Sequence, residues 1–491
     1  MSEPGPQEAM KFEILKAFGN GPRLAKLAVA GRKAIETPNF VTVTSRGTVP
    51  HVTPDNLTKH DLVNASYFGL EDFIELHQKN PARRPPIFQT PPSKSGASPL
   101  YSFTGTPLST ISVLAPRRIP AVTAPMGNGN DFLSVFTSTG FRNLTVGEYA
   151  SAIDALRPDV AIAMADLTYG NKKTTPLSKR AIRMAERSDD WIHSLANALG
   201  QTPSGTALFA PTLPLPYSTQ WEYLETLSEM TDRIRGLAVY DVDIIPDLKD
   251  YPPLLPLPRL SLDAPVSPHH ILRQVALGAD ILALPLLNTV SDSGVALTFT
   301  FPPPPPSSSS TSPMPLGIDL SHESHQTALA PLMQGCTCYA CAAHHRAYVN
   351  HLLSAREMLA WTLLQIHNHH VLNAFFAGVR ASLRSGEEQF EADREAFMRA
   401  YEPEVPAGSG SRPRARGYHL KSAGGDDRLN KSSWGKYGDG SSWPEPEPAA
   451  GGGTPAGMDG APPVRSTTET PLVPEGDATE LDQKGFAEID R

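Results

Sequence analysis

The chemistry most plainly available to this chain sits in one short run, GCTCYAC, where Cys336, Cys338 and Cys341 are all the cysteines it has. Thiolates packed this closely bind soft or borderline metal ions, and three of them need a fourth donor to complete a tetrahedron. Histidines crowd the sequence that follows, so His344, His345, His351, His367, His369 and His370 are all candidates. His344 and His345 stand so near Cys341 that they ligate only if the helix has not yet begun. Spacing alone leaves the choice open. A closed set of three cysteines and one histidine favours a structural ion over a catalytic one. The plainer alternative is a buried or redox thiol cluster without metal.

Such a site must be held by regular elements. From Ala342 to Ser382 the sequence is helical by period, with Tyr348, Leu352, Ala355, Leu359, Leu363 and Ile366 recurring on one face. Between Phe12 and about Ala400, short apolar runs alternate with amphipathic stretches, the pattern of repeated β-α units. Strands are expected at FVTVTS (Phe40 to Ser45), DVAIAMAD (Asp159 to Asp166), GTALFAP (Gly205 to Pro211), RGLAVY (Arg235 to Tyr240) and DILALPL (Asp280 to Leu286). Each lacks clean alternation and so reads as buried on both faces, as parallel strands are. Helices are expected at VGEYASAIDALR, SKRAIRMAERSDDWIHSLANAL, QWEYLETLSEMTDRI and SPHHILRQVALGA. In the last, Ser267 is placed to cap, Pro268 sits where a first turn accepts proline, and Ile271, Leu272, Val275 and Leu277 form an apolar stripe. This α/β alternation suits a closed eight-stranded barrel or an open doubly wound sheet, and no GxGxxG or Walker-type phosphate loop supports the open sheet.

Composition sets limits on the rest. The net charge of −8 excludes a surface coated in basic residues and confines any RNA contact to a local patch or a partner. Three cysteines exclude a disulfide framework and fit a reducing compartment. No apolar run approaches the roughly 20 residues needed to cross a bilayer, and the opening MSEPGPQEAMKFE lacks the apolar core of a signal peptide, so a soluble intracellular protein is expected. The 49 prolines point to substantial loop or linker. FPPPPPSSSSTSPMP, beginning at Phe301, reads as a stiff then flexible surface insertion, and the low-complexity sequence from Pro403 to Arg491 as a disordered tail.

The segment PLMQGCTCYACAAHHRAYVNHLL followed by LLQIHNHH resembles the C-terminal zinc motif of tRNA-guanine transglycosylases, in which CxCxxC precedes an AYxxHL helix and a later IHN. GPRLAKLAVAGRKAIETPNFVTVTSRGTVPHVTPDNL is similar to the family's opening strands, YFGLEDFIEL to its accessory, queuine-type subunit, and SKRAIRMAERSDDWI, GLAVY and GADILALP fall in the family's order. The resemblance covers about Phe12 to Arg399. It implies a TIM-type (β/α)8 barrel, at residues 10–300, and a zinc-binding subdomain with the final helices, at 317–402; composition adds the Pro/Ser-rich insertion at 301–316 and the disordered tail at 403–491. The resemblance also implies Zn2+ held by Cys336, Cys338, Cys341 and, as the histidine of IHN, His367. The implied partners are the catalytic queuine tRNA-ribosyltransferase subunit in a heterodimer, tRNA, and queuine itself. The implied location is the cytoplasm, with peripheral association at the mitochondrial outer membrane known among such subunits.

Active members of that family exchange the wobble guanine of tRNA by means of an aspartate nucleophile and a second, proton-handling aspartate. Register from Gly278 along GADILALP puts Ala283 at the nucleophile's position, and a methyl group cannot attack a sugar carbon. Asp280, an odd number of residues away, faces the other side of the strand. Asp292 in NTVSDSG is a more distant substitute. Where the family carries DSGGFQ and its second acid, this chain has STISVLAPRRIPAVTAPMG, without any acid. No catalytic residue is therefore assigned, and a non-catalytic subunit is expected. The alternatives are an independently active transglycosylase using Asp166 or Asp292, and a zinc hydrolase, which would disperse its ligands over several strand ends. Asp166 in AIAMAD matches the aspartate that reads the incoming base, though it also suits a loop cap. Gly236, Leu237 and Ala238 resemble the segment flanking the base pocket. RNA contact is expected from basic pairs such as Arg117 with Arg118, Lys172 with Lys173, or Lys179 with Arg180, each of which equally suits an ordinary solvated surface.

Overall fold

A computed structural model describes residues 10–413 apart from 75–83, 92–96, 123, 125–126, 138–139, 168–177, 201–204 and 306–311. The Lys172–Lys173 pair, the middle of the Pro/Ser run and the sequence from 414 onward lie outside the described residues. Strands β1 (Met10–Ala17), β2 (Arg23–Val29) and β3 (Ile35–Thr37) form an antiparallel sheet, and the chain then enters a barrel. Its strands are β4 (Asn39–Val43), β5 (Ala65–Gly69), β6 (Ile111–Ala115), β9 (Val160–Ile162), β10 (Ala207–Thr212), β11 (Gly236–Val239), β12 (Arg259–Ser261) and β13 (Ile281–Ala283). A hairpin of β7 (Phe132–Thr137) and β8 (Gly140–Thr145) interrupts the β-α order after β6. The eight barrel strands are parallel, and β13 closes onto β4 with Ala283 opposite Val41. The closed alternative is thus the one the chain adopts.

Burial on both faces explains why the strands lack alternation. Val41, Val43, Tyr67, Val113, Ile162, Phe209, Leu260, Ile281 and Ala283 belong to a cluster filling the interior. Phe40, Phe68, Leu114, Ala161, Leu208, Leu237 and Leu282 turn outward into the layer shared with the helices. Short helices α1 (Pro54–Lys59), α2 (Pro86–Gln89) and α3 (Pro99–Thr104) precede α4 (Val146–Leu156), α5 (Lys179–Leu199), α6 (Tyr217–Glu229), α7 (Pro268–Ala276) and α8 (Leu286–Asp292). The helix α4 starts at a capping box in which Thr145 and Glu148 satisfy each other's backbone N–H groups. In α7, Pro268 opens the first turn and Ile271, Leu272 and Val275 are buried, as their spacing predicts. Two expectations there need correction. The Ser267 side chain makes no capping bond, the turn being closed by the Ile271 N–H donating to the Ser267 carbonyl, and Leu277 falls beyond the helix, only half-buried.

After β13 the chain makes a two-stranded sheet, β14 (Val295–Leu297) with β15 (Gly317–Asp319), then α9 (Tyr339–Ala343), α10 (Arg346–Ser354), α11 (Met358–Ser385) and α12 (Glu387–Ala400). The single helical stretch expected from Ala342 to Ser382 is therefore three helices. His344 and His345 are extended, and Arg356 takes a left-handed φ of 58°. Ala355 and Leu359 are consequently exposed rather than packed. The long helix α11 joins two cores. Its first turns pack with Leu320, Leu332 and Val349 around the cysteines, and its later turns, through Phe375, Phe376 and Val379, join the barrel's outer layer. Gly378 allows this docking, because a Cβ there would stand 1.8 Å from the Phe301 carbonyl oxygen. Beyond α12, the Ser409 N–H donates to Asp319 at 2.7 Å, so residues just past Pro403 lie against β15.

Candidate functional site

Cys338 is the N-cap of α9, its sulfur accepting from the Cys341 N–H at 3.4 Å, and this tight turn folds the three thiols around one point. The helix stops after five residues. His345 is then spent as the cap of α10, its Nδ1 accepting from the Tyr348 N–H at 3.1 Å. His344 stacks on Tyr348, with ring centroids 5.2 Å apart. Neither reaches the sulfurs.

The histidine that does is His367, fully buried in α11. Its Nδ1 lies 3.7, 3.5 and 3.4 Å from the sulfurs of Cys336, Cys338 and Cys341. The four donor atoms all fall within 4.8 Å of one another, an arrangement that can hold a metal ion. Its Nε2 sits 2.8 Å from the Leu297 carbonyl, which can only accept. Nε2 therefore carries a proton, and it is Nδ1 that faces the thiols, so loss of the Nδ1 proton leaves a lone pair in the orientation that a metal-binding imidazole needs. Burial alone would lower the pKa of His367. Hydrogen bonding to Cys336 and Cys341 outweighs it and raises the value to about 9. Hydrogen bonds from Cys338 and Cys341 pull the Cys336 thiol well below its ordinary value, while the bond to Cys336 pushes Cys338 well above it. The cluster thus favours a thiolate at Cys336 beside His367, and deprotonating all three thiols requires a cation at their centre.

The neighbouring asparagine, whose role spacing did not suggest, completes the frame. Asn368 accepts from the Leu297 N–H at 2.9 Å and donates to the Val295 carbonyl at 3.0 Å and to the Ser291 hydroxyl at 2.9 Å. The IHN triplet thereby fastens α11 to both β14 and α8. His369 is a buried core histidine: its Nδ1–H donates to the Gln365 carbonyl at 2.8 Å, and burial lowers its pKa to about 4. His351 is exposed. His370 lines, with Cys336, Phe299, Phe301, Met333 and Phe375, a cleft of about 360 Å3 beside the thiols.

At the barrel, Ala283 is completely buried in the interior cluster with Ile281. Asp280 stands at the foot of the same strand, gripped by Arg23 at 2.8 and 2.5 Å and by the Arg259 N–H at 2.7 Å. It is a structural anchor at the end opposite the strand C-termini. Asp292 lies 2.7 Å from His51 Nε2. Asp166, beyond the C-terminal end of β9, is buried and accepts from Asn128 at 2.6 Å and Arg187 at 2.9 Å. Gly236, Leu237 and Ala238 form β11, with Leu237 turned toward the helices and Ala238 inward.

The Arg117–Arg118 pair corrects an expectation, because both side chains are buried rather than presented to solvent. Arg117 donates to the Ser134 carbonyl at 3.0 Å and to Asn128 at 3.0 Å; Arg118 pairs with Glu71 at 2.8 Å and Asp72 at 3.2 Å. These arginines follow β6 directly, and Ile119 after them joins the interior cluster, so this segment turns back over the barrel's open end. The acids there were not singled out from sequence because their partners lie more than one element away. Asp263, following β12, has its carboxyl pKa raised by burial and then by Asp241. By alternation it falls with Ser261, which donates to Gln274 of α7 at 2.8 Å, on the helix side of the wall.

The chain matches the family model described as queuine tRNA-ribosyltransferase over residues 19–403. It is 35% identical over 422 residues to a Schizosaccharomyces pombe protein named queuine tRNA-ribosyltransferase accessory subunit 2, covering 84% of this chain and 89% of that one. Proteins of the same name from Ixodes scapularis and Drosophila mojavensis are 26% and 25% identical, each over 76% of this chain and over 96% and 89% of their own lengths.

Proposed function

Because the chain belongs to the queuine tRNA-ribosyltransferase family, we propose that it is the non-catalytic subunit of a heterodimer whose other chain exchanges the wobble guanine of tRNA for queuine. The names of its relatives support the accessory role. The observation that carries it is Ala283. This residue points into the barrel at the position where the resemblance expects a nucleophilic carboxylate, and it is closed off among apolar side chains. The remaining candidates are otherwise engaged. Asp280 holds the barrel's foot together with Arg23, Asp292 pairs with His51, and Asp166 with Arg187.

The metal we assign is zinc, with Cys336, Cys338, Cys341 and His367 as ligands and no open position. Zn–S bonds of about 2.3 Å and Zn–N of about 2.05 Å at tetrahedral angles put sulfur and nitrogen about 3.6 Å apart. The distances of 3.7, 3.5 and 3.4 Å match that geometry. Bound there, the ion supplies cross-linking rather than chemistry. Asp166, held at a strand end beside Asn128, is the residue we place nearest any base presented to this barrel. The cytosol, which keeps thiols reduced, suits this ligand set.

The deciding experiment measures exchange of labelled guanine into tRNA by this chain, by the catalytic subunit, and by the two together, after copurification. Exchange only when the catalytic subunit is present, with stable copurification, is the expected outcome. Exchange by this chain alone would establish an independent transglycosylase and end the accessory reading.

A further inference from the structure

The helix α5 carries Lys179, Arg183 and Arg187 at four-residue spacing, so the three side chains lie in one row, with Arg180 beside the first. The inner end of the row is accounted for: Arg187 binds Asp166 beyond the end of β9 and donates to Asn130 at 3.0 Å. The outer end is different. Lys179, Arg180 and Arg183 are all exposed, and among the described residues no carboxylate pairs with them. A helix rises 1.5 Å per residue, which puts Lys179 about 12 Å further out along the helix than Arg187. Because α5 returns from the C-terminal end of β9, that outward direction is the side of the barrel where such folds bind their ligands. The positive end of the helix dipole lies there as well.

On a chain whose net charge is −8, a row of exposed cations at the barrel mouth, none paired with a carboxylate among the described residues, is a local exception suited to a polyanion. We propose that Lys179, Arg180 and Arg183 contact the phosphate backbone of tRNA, giving this subunit its own grip on the nucleic acid while base chemistry proceeds on the other chain. The proposal rests on the subunit reading above and deepens it. Contacts of this kind carry no sequence information but add strongly salt-dependent affinity. They position the tRNA rather than select it.

The test uses the full chain complexed with the catalytic subunit and, as probe, a transcribed tRNA with guanine at the wobble position. Lys179→Gln, Arg180→Gln and Arg183→Gln are combined, glutamine being a good helix former. The variant is expected to copurify normally and to bind tRNA at least about tenfold more weakly at low salt, with the slope of log affinity against log salt reduced by about two to three. The charge-preserving set Lys179→Arg, Arg180→Lys and Arg183→Lys is expected to bind as the unaltered complex does. Unchanged affinity and slope in the glutamine variant would overturn the proposal. So would weak binding by the charge-preserving variant. Failure of the unaltered pair to exchange guanine would instead sink the subunit reading, so the two are separable.

Discussion

Leu297 presents its carbonyl to His367 at 2.8 Å, and that one hydrogen bond decides which nitrogen of the imidazole faces the three thiols. The edge of a short strand thus sets the tautomer of a residue 70 positions further along the chain. Any ion held by His367 and the thiols therefore depends on the docking of α11 on β14.

Loss of a single thiol should release the ion and loosen the region around it. Cys338→Ser is expected to lose its metal on purification and to lower the melting temperature by about 5–10 °C, since a structural ion contributes folding free energy directly. Metal analysis and thermal unfolding check this, and a variant with undiminished metal and stability would refute the assignment.

Metal uptake should release protons. With its pKa raised to about 9, His367 carries a proton on Nδ1 at pH 7 in the absence of metal, and Cys338, pushed above its ordinary value, retains its own. These protons, and that of any further thiol still protonated, must leave as the ion enters, so apparent affinity should rise by at least about a hundredfold per pH unit near neutrality. Calorimetry of metal binding in buffers of differing ionisation enthalpy measures the number released; a result near zero contradicts the ligand set.

Asn368→Ala strands the Leu297 N–H and the Val295 carbonyl in a buried setting. We expect a stability loss of about 2–4 kcal/mol and a metal affinity about 10–100-fold lower, read by denaturant unfolding and by competition with a chelator. An affinity equal to that of the unaltered chain would show that His367 needs no help in staying aligned.

Ala283→Asp places an unpaired carboxylate in the packed barrel interior opposite Val41. It should destabilise the chain by about 3 kcal/mol or more and yield no exchange from the isolated subunit, because the second acid is still missing. Appreciable incorporation of labelled guanine by this variant alone would show that one substitution suffices.

Much of the barrel is legible from apolar runs, because a parallel strand buried on both faces announces itself by composition. Five of the eight strands were expected at their places. Arg259–Ser261 is only three residues long in a proline-rich stretch, and Ala65–Gly69 and Ile111–Ala115 are five residues each, with serines among their apolar residues, so none of the three carries a long apolar run. The breaks at His344–His345 and Arg356 were hidden for another reason: no glycine or proline marks them, and the helical period runs on across both. The cysteines were plain from spacing, whereas the fourth donor came from family resemblance, since six histidines fit spacing alike. Arg117 and Arg118 look like surface charge because Glu71 and Asp72, which neutralise Arg118, lie some 46 positions earlier.

Asp280→Ala should be among the costliest single changes in the barrel. It leaves Arg23 buried without its counter-charge, for which about 3–5 kcal/mol is expected, measurable by equilibrium unfolding. A loss under about 1 kcal/mol would show that water reaches the guanidinium.

The three thiols precede His367 by 31, 29 and 26 positions. At ordinary translation speeds of about 5–20 residues per second, the imidazole is synthesised roughly one to six seconds after the thiols. Biogenesis therefore supplies the sulfurs before their nitrogen partner, and the four-donor set closes only once the long helix has been made and has folded back across them.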